Sequence, residues 1–318
     1  MALDPVTAAY RAGAAFTRAV PRPVAEITAK GLSRIAASVS KERRMLVARH
    51  LHRADPTLEG KALDRAVDAT FDSYARYWID SFRLPQLTPE QVDFSFAFED
   101  FTHIADALNA GKGVVAVLPH LGGWEWAAFW MTKVMKIPVT AVVESLEPPA
   151  LFEFFVEFRR EIGLNIVPLG PDAGNEILKA LNSNHVVCLL ADRDIIGDGV
   201  ELEFFGEITT IPAGPATLAL RTGAALIPCA VYFEGRTGHH AVVEPPLEVV
   251  REGRLRDDVR RVTIDLAGRL EDLIRHAPEQ WHLQQPNWPS DYAELERIGK
   301  PHPRPKRGPS SLAARSGD

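Results

Sequence analysis

The sequence has few cysteines and no long apolar run. Its 318 residues include two cysteines, Cys188 and Cys229, which lie in the apolar segments VVCLLA and LIPCAVYF. This spacing offers neither a CxxC motif nor a disulfide framework. No stretch approaches the roughly 20 consecutive apolar residues that span a bilayer. We therefore expect a reducing, cytoplasmic environment, and any contact with a membrane to be peripheral.

A basic excess and a targeting segment are also missing. The formal net charge is -6 at pH 7, whereas nucleic-acid-binding domains normally carry a basic excess. The first residues, MALDPVTAAYRAG, have no basic start followed by a long apolar run. We therefore expect neither a nucleic-acid partner nor a signal peptide.

Several catalytic and nucleotide-binding motifs do not occur. The sequence contains no GxSxG motif, no Walker A loop and no GxGxxG motif. Their absence disfavours a serine hydrolase with an acyl-serine intermediate, an NTPase and a dinucleotide-binding enzyme. The pair His239 and His240 has no cysteine or carboxylate pattern beside it and is predicted to lie at a hairpin. No metal or cofactor is expected.

The sequence does contain a clear change of pattern near residue 113. Residues 1–83 are rich in alanine, with apolar residues at helical spacing, and are interrupted by Pro21, Pro23 and Pro56. They predict a helical cap, which either faces a membrane or packs as an ordinary bundle. Beyond residue 113, short β-branched runs alternate with helical segments, which is typical of parallel strands joined by crossover helices.

These patterns predict an α/β fold with a mostly parallel central sheet flanked by helices. The expected regions are the N-terminal helical cap (1–83), an α/β core (84–296) and a basic, disordered tail (297–318). The predicted strands are GVVAVLP, VTAVVE, NIVPL, HVVCLLAD, ALIPCAVYFE and HAVVEPPLEVV. A short helix is predicted over AGPATLALRTG, and a long amphipathic helix over residues 255 to 276.

A histidine and an acid follow the first strand of the predicted sheet. In VLPHLGGWEWAAF, His120 ends the strand segment and Glu125 falls in the first turn of the next helix. Residues just past the carboxyl ends of parallel strands line the functional crevice. A neutral imidazole can accept a hydroxyl proton while a carboxylate such as Glu125 orients it. The Gly122 and Gly123 amides are candidates to bind an anion or polarise a carbonyl.

Ionisable residues also end the neighbouring strands. Glu144 closes VTAVVE, and Asp192, Arg193 and Asp194 follow HVVCLLA. Arg193 is either a phosphate ligand or an ion-pair partner of Asp194, and Asp194 itself is assigned a structural role. Several polar groups at one sheet edge favour a catalytic His120 over its alternative as a structural or capping residue.

These segments together resemble the lysophospholipid acyltransferase superfamily. Within it they are most similar to the lipid A biosynthesis acyltransferase branch and to the phosphatidylinositol mannoside acyltransferases of actinobacteria. The resemblance runs from about residue 70 to about residue 290. It rests on ARYWIDSFRLP, LPHLGGWEWA, the strand end at Glu144, EFRREIG, CLLADRD, VELEFFGEITTIPAGPATLALRTGAALIP and WHLQQPNW.

The resemblance implies a glycerolipid acyltransferase-like fold and an acyl-CoA-dependent O-acyltransferase. The implied donor is acyl-CoA, with palmitoyl as the expected chain, and the implied acceptor is a hydroxyl of a mannosylated phosphatidylinositol glycolipid. It also implies peripheral location at the cytoplasmic face of the cell membrane. Acyl-CoA is a co-substrate, so no further cofactor is implied.

The resemblance also assigns roles to individual residues. His120 corresponds to the general base, Glu125 to the acid of the box and Asp192 to a second acid that supports His120. Which of the two acids is the main partner of His120 stays open. Asp192 is shorter than the glutamate also found at its position in the family.

Two further positions, Glu144 and Arg159, correspond to substrate-binding residues of the family, with Arg160 a competing choice for the second. Arg193 is a third substrate-binding candidate, on the grounds that a guanidinium binds phosphate oxygens. Three alternatives to this function remain at the level of sequence. The first is a thioesterase or other hydrolase that uses the same His-carboxylate site on water. The second is an acyltransferase that acts on another membrane lipid, and the third is an α/β protein that binds a nucleotide or lipid without catalysis.

Overall fold

The computed structural model describes residues 4–144, 146–170 and 172–304. The predicted disordered tail lies outside these residues from position 305 onward. The described α-helices are α1 (Pro5–Ala19), α2 (Arg22–Val39), α3 (Lys41–Ala54), α4 (Gly60–Arg83), α5 (Pro89–Phe94), α6 (Thr102–Asn109), α7 (Trp124–Phe129), α8 (Pro149–Glu161), α9 (Ala173–Asn182), α10 (Gly214–Thr222), α11 (Leu255–His276) and α12 (Pro289–Arg297). Short 3₁₀ turns span Leu84–Gln86 and Pro278–Gln280, and a π-helical turn spans Trp130–Val134.

The strands form one large sheet and one separate hairpin. They are β1 (Phe96–Glu99), β2 (Val114–Leu118), β3 (Val139–Val143), β4 (Asn165–Pro168), β5 (Val186–Leu190), β6 (Val200–Phe204), β7 (Glu207–Ile211), β8 (Ala225–Glu234) and β9 (Gly238–Val243). The order in the large sheet is β1-β9-β8-β2-β5-β3-β4. Every described pairing in this sheet is parallel except β8 with β9. The predicted α/β fold with a mostly parallel sheet is confirmed.

The apolar strand runs are explained by helices on both faces of the sheet. In β2, Val115 and Val117 pack into a core with α9, α10 and α11. Val114, Ala116 and Leu118 pack into a second core with α7 and α8. Because successive side chains of a strand point to opposite faces, a strand covered on both sides has to be apolar throughout.

The described residues before position 84 are helical, and the helices end near the prolines that predicted the breaks. α1 ends at Ala19 before Pro21, and α3 ends at Ala54 before Pro56. The 24-residue helix α4 contacts α1, α2 and α3 and carries aromatic residues that pack against one another, among them Tyr74, Tyr77 and Trp78. Nothing in the described chain is a helix both long and apolar enough to cross a membrane.

Three parts of the sheet system differ from the sequence predictions. The edge strand β1, which pairs with β9, lies before residue 113, where we predicted no strand. The segment VELEFFGEITTI forms the antiparallel hairpin β6–β7, for which we predicted no strands. Its residues alternate in burial, and its two turn residues, Phe205 and Gly206, have φ angles of 52° and 76°. The predicted strand HAVVEPPLEVV ends at Val243, before Pro245 and Pro246, because proline has no amide hydrogen for the ladder.

Candidate active site

The register of two adjacent strands brings His120 and Asp192 together. β2 and β5 are parallel neighbours in which Leu118 pairs with Leu190. His120 and Asp192 each lie two residues beyond this pair, past the carboxyl ends of the strands. Nδ1 of His120 is 2.6 Å from Oδ1 of Asp192. Two residues far apart in sequence therefore form one hydrogen-bonded pair.

The environment of Asp192 keeps its carboxyl ionised. Asp192 is fully buried, and its Oδ2 accepts a hydrogen bond of 2.7 Å from the indole Nε1 of Trp281. Burial acts to raise the pKa of Asp192, but the charge of His120 and the hydrogen bonds from His120 and Trp281 outweigh it and lower the pKa. An ionised carboxylate only accepts, so Nδ1 of His120 carries a proton, which leaves Nε2 as the acceptor in the neutral form of the ring.

The turn after His120 requires its two glycines. Gly122 has φ of 57°, and a Cβ atom there would lie 1.8 Å from the carbonyl oxygen of Val231. A Cβ on Gly123 would lie 2.7 Å from the ring of His239. The two amides donate to the carbonyl oxygens of Gln280 and Val231, each at 3.0 Å. The prediction that these amides bind an anion or a carbonyl is therefore wrong, because both already have main-chain partners.

Glu125 lies in the first turn of α7, and its bonds run to α4 and α8. Its side chain is 1% exposed, and Oε1 accepts hydrogen bonds from the Tyr77 hydroxyl at 2.7 Å and from Arg159 at 3.3 Å. Burial raises the pKa of Glu125 against the opposing charge of Arg159. The carboxylate that His120 contacts is that of Asp192. Of the adjacent arginines, Arg159 is the one whose guanidinium lies over the Trp124 ring.

A cavity of about 500 Å³ lies at the carboxyl ends of β2, β3 and β5. His120, Glu144, Arg159 and Arg193 all line it. Asp192 and Glu125 do not line the cavity. Asp192 is hydrogen-bonded to His120, and Glu125 is hydrogen-bonded to Arg159. The apolar part of the lining includes Tyr74, Tyr77, Trp78, Leu118, Leu121, Trp124, Ala141, Leu146, Cys188 and Leu190. The polar part contains Glu144, Asn175, Arg193, Asp198 and Arg221.

Asp194 and Cys188 also line the cavity, but their surroundings indicate structural roles. The carboxylate of Asp194 accepts hydrogen bonds from the amides of Ile196, Gly197 and Gly199, which organises the loop after β5. This agrees with the structural role predicted for Asp194. Burial raises the pKa of Cys188 to about 12, so this group is a protonated thiol and a poor nucleophile.

Sequence reasoning assigned no role to three residues that complete the site. They are Tyr77, Trp281 and His282. Trp281 bonds Asp192, and the amide of His282 donates to the carbonyl oxygen of His120 at 2.7 Å. The segment WHLQQPNW, which contains the last two, was the available signal, but its contacts with β2 and β5 depend on the fold. The described chain holds no cluster of three or more His, Cys, Asp or Glu residues suited to a metal ion.

The arrangement has the parts needed for proton transfer beside an apolar binding space. His120 is 34% exposed and faces the cavity, while Asp192 is inaccessible. A buried carboxylate fixes the ring orientation and stabilises the imidazolium that forms when Nε2 accepts a proton. The site is therefore suited to activating a hydroxyl or water next to a long apolar group.

Comparison with known proteins identifies related sequences. A family model described as bacterial lipid A biosynthesis acyltransferase matches residues 4–290. A phosphatidylinositol mannoside acyltransferase of Mycolicibacterium smegmatis is 36% identical over 291 residues, which cover 91% of this chain and 93% of the relative. A protein of the same name from Mycobacterium tuberculosis is 38% identical over 239 residues, which cover 74% of this chain and 73% of that protein.

Proposed function

Because this chain belongs to the bacterial lipid A biosynthesis acyltransferase family, we propose that it transfers a fatty acyl group from acyl-CoA to a hydroxyl of a mannosylated phosphatidylinositol. Palmitoyl is the proposed chain. The names of the relatives support this class of acceptor. The observation that carries the chemistry is the His120–Asp192 pair in the lining of a cavity that is largely apolar.

In the proposed reaction His120 is the general base. Nε2 of His120 takes the proton of the acceptor hydroxyl as its oxygen attacks the thioester carbonyl carbon, and Asp192 stabilises the imidazolium. The tetrahedral intermediate then collapses, which breaks the C–S bond. The sulfur leaves with the proton held by His120, so that the ester and the free thiol form and the enzyme is regenerated. Acyl-CoA is the co-substrate, and the reaction needs no further cofactor.

We assign the apolar lining residues to the acyl chain and the polar lining residues to the sugar and phosphate groups of the substrates. The aromatic and aliphatic residues around Trp78, Leu118 and Trp124 provide a surface for the acyl chain. Glu144 and Arg193 provide polar groups for the sugar hydroxyls and phosphate, since a guanidinium binds phosphate oxygens well. Arg159 is anchored by Glu125 and borders the acyl space. We assign all three of these lining residues to substrate binding.

We further propose that the protein acts as a peripheral enzyme at the cytoplasmic face of the cell membrane. Helix α2 exposes large apolar side chains to solvent, among them Val24, Ile27 (75% exposed) and Leu32 (61% exposed). Lys30 lies on the same helix. Apolar groups flanked by cations are suited to insertion between lipid headgroups.

The proposal is tested by incubating the full chain with palmitoyl-CoA and a mannosylated phosphatidylinositol. Mass spectrometry should detect an acceptor that gains one acyl chain together with free CoA. A parallel reaction with a membrane lipid extract and acyl-CoAs of other lengths tests the acceptor and the chain. The variant His120→Ala is the matched control for enzyme-dependent product.

Each other result points to a different function. Release of free fatty acid at the same rate with and without acceptor would identify a thioesterase. Acylation of a different lipid in the extract would correct the acceptor while keeping the reaction. Binding of acyl-CoA without turnover under any condition would identify a binding protein.

A further inference from the structure

His282 is a second histidine at the same cavity, and the proposed mechanism has not used it. It follows Trp281, whose indole bonds Asp192, and its own amide bonds the carbonyl oxygen of His120. One dipeptide thus touches both members of the catalytic pair. The ring of His282 lines the cavity together with that of His120.

The ring of His282 is held by helix α4. Its Nε2 lies 2.8 Å from the hydroxyl oxygen of Ser73, and the rings of Tyr74 and Tyr77 pack within 5.3 and 5.6 Å of its centroid. Among the described residues, the hydrogen bonds of His282 use its Nε2 and its main-chain amide, and none uses Nδ1. Nδ1 is therefore the ring nitrogen that remains available to a bound substrate.

The ring is also uncharged at neutral pH. Burial, and secondly the nearby charge of His120, lower the pKa of His282 to about 3. A neutral imidazole still donates one hydrogen bond, and it does not repel the imidazolium that forms on His120.

The reaction needs a donor that the turn after β2 does not supply. When a hydroxyl attacks a thioester, negative charge develops on the carbonyl oxygen, and a fixed donor there stabilises the transition state. The amides of Gly122 and Gly123 are the expected donors at such a strand-to-helix turn. Both are bonded to main-chain carbonyls, so the donor has to come from another group that lines the cavity.

We propose that His282 is a catalytic residue that donates a hydrogen bond from Nδ1 to the thioester carbonyl oxygen as it becomes an oxyanion. Ser73 donates its hydroxyl hydrogen to Nε2 and so fixes the proton on Nδ1. No proton is transferred at His282: the hydroxyl proton goes to His120 and then to the leaving sulfur. This inference rests on the proposed acyl transfer and adds the residue that stabilises its intermediate.

Two amide substitutions separate the two ring nitrogens. In His282→Asn the side-chain nitrogen takes the place of Nδ1, so that a donor to the cavity remains while the contact with Ser73 is lost. In His282→Gln the amide reaches the place of Nε2, so that the Ser73 contact remains and the cavity donor is lost. A purely structural histidine would be better replaced by glutamine, whereas an Nδ1 donor is better replaced by asparagine.

The kinetic test measures kcat and KM for both variants, with and without the glycolipid acceptor, after circular dichroism has verified folding. Loss of an oxyanion donor lowers kcat by about 10²-fold or more with little change in KM. We expect this loss for His282→Gln in both acyl transfer and the slow hydrolysis of palmitoyl-CoA. His282→Asn should retain most of the activity.

Three outcomes would overturn the assignment. They are equal activity of His282→Gln and wild type, a larger loss for His282→Asn than for His282→Gln, and a rise in acceptor KM with hydrolysis unchanged. The last would make His282 an acceptor-binding residue. Wild-type protein without acyl transfer would instead refute the proposed function.

A measurement that does not depend on turnover or on folded variants completes the test. Nitrogen-15 NMR of histidine-labelled wild-type protein distinguishes imidazole tautomers at neutral pH. A neutral His282 with its proton on Nδ1 is the expected result. A proton on Nε2, or a charged ring, would refute the donor assignment.

Discussion

At the scale of single residues, sheet register sets the distance between His120 and Asp192. Each residue lies two positions past the Leu118–Leu190 pair, so any change in the pairing of β2 with β5 would separate them. Trp281 and His120 supply hydrogen bonds to both carboxylate oxygens of Asp192. This fixed geometry makes the effects of substitutions at these residues specific enough to test.

Replacing His120 with alanine should abolish transfer while the fold remains. The side chain is partly exposed and its removal leaves the buried apolar strand intact, whereas loss of a general base costs about 10²-fold or more in rate. Acyl transfer rates and thermal unfolding of the variant measure both effects. Near-normal turnover by a folded His120→Ala protein would refute the mechanism.

The two acids after β5 should respond differently to conversion to asparagine. Asp192→Asn removes the charge that orients His120, so kcat should fall by about 10²- to 10⁴-fold. Asp194→Asn disturbs the three amide bonds of its loop and should lower the melting temperature with a smaller effect on kcat. Rates and unfolding curves for the matched pair decide this. The reverse order of rates would exchange the two roles.

At the scale of elements, the turn between β2 and α7 and the contact of α3 with α12 are rigid connections. The turn brings the main chain of Gly122 against β8, where a side chain does not fit. At the second contact, the carboxylate of Asp291, which is fully buried on α12, contacts Arg49, His50 and Arg53 of α3. Both connections position the elements around the site; the turn also lines the cavity, whereas the contact of α3 with α12 lies outside its lining.

Gly122→Ala should destabilise the protein strongly. The substitution forces a positive φ on alanine and drives Cβ into the carbonyl of Val231, which together cost about 3 kcal/mol or more. Gly268→Ala is the matched control, since nothing lies within 4 Å of the added Cβ on α11. It should raise stability by about 0.4–1 kcal/mol. Denaturant unfolding of the two variants makes the comparison, and equal effects would contradict it.

Asp291→Asn should cost about 3–5 kcal/mol, because it removes the buried carboxylate that pairs with Arg49 and Arg53. Burial acts to raise the pKa of Asp291, but the hydrogen bond and charge of His50 and the charge of Arg53 outweigh it, so that the pKa lies well below the ordinary value of 3.8. A carboxyl whose pKa is lower in the folded state than in the unfolded state stabilises the fold at pH values above its unfolded-state pKa. This contribution to stability is lost as the pH falls toward the folded-state pKa.

The difference in unfolding free energy between wild type and Asp291→Asn should therefore be constant above about pH 5 and narrow below about pH 4. Urea unfolding across this range measures it. Glu294→Gln, which breaks a surface pair with Arg297 on the same helix, is the control and should leave stability nearly unchanged. A difference that widens toward low pH would contradict the sign of the shift.

At the scale of the whole molecule, net charge does not favour binding to an anionic membrane. The chain carries a formal charge of -6, so attraction has to come from a local surface. The apolar residues exposed on α2 offer one such surface, and Lys30, Arg34 and the basic residues of α3 offer a second, electrostatic contribution. The basic tail from residue 297, most of which lies outside the described residues, offers a third contribution to membrane binding.

The double variant Ile27→Asp, Leu32→Asp should weaken binding to anionic vesicles by on the order of tenfold or more, because two large side chains no longer enter the lipid. Ile264→Asp replaces an isoleucine that is 44% exposed on α11 and should have little effect. Vesicle sedimentation at low and high salt measures both. Release by high salt with no effect of the double variant would assign binding to the basic residues and the tail instead.

The sequence by itself determined the class of fold, its family and the set of ionisable residues at one sheet edge. Buried parallel strands need unbroken apolar runs, so β2, β3 and β5 were visible as runs bounded by turn residues. Residues that follow such strands have to meet at one edge, which is why His120 and Asp192 were found together. The hairpin β6–β7 was missed because its half-exposed strands alternate in burial and so form no unbroken apolar run.

Only the tertiary structure decided which groups touch. The choice of Asp192 over Glu125 depends on β2 lying beside β5, and strand order is a non-local property. The amide of Gly122 donates to the carbonyl oxygen of Gln280, and the ring of His282 is hydrogen-bonded to Ser73 in α4. Both bonds join segments that are far apart in the sequence. A hydrogen bond is set by distances of a few tenths of an ångström between distant segments. Those distances follow from packing of the whole core, which no local pattern in the chain encodes.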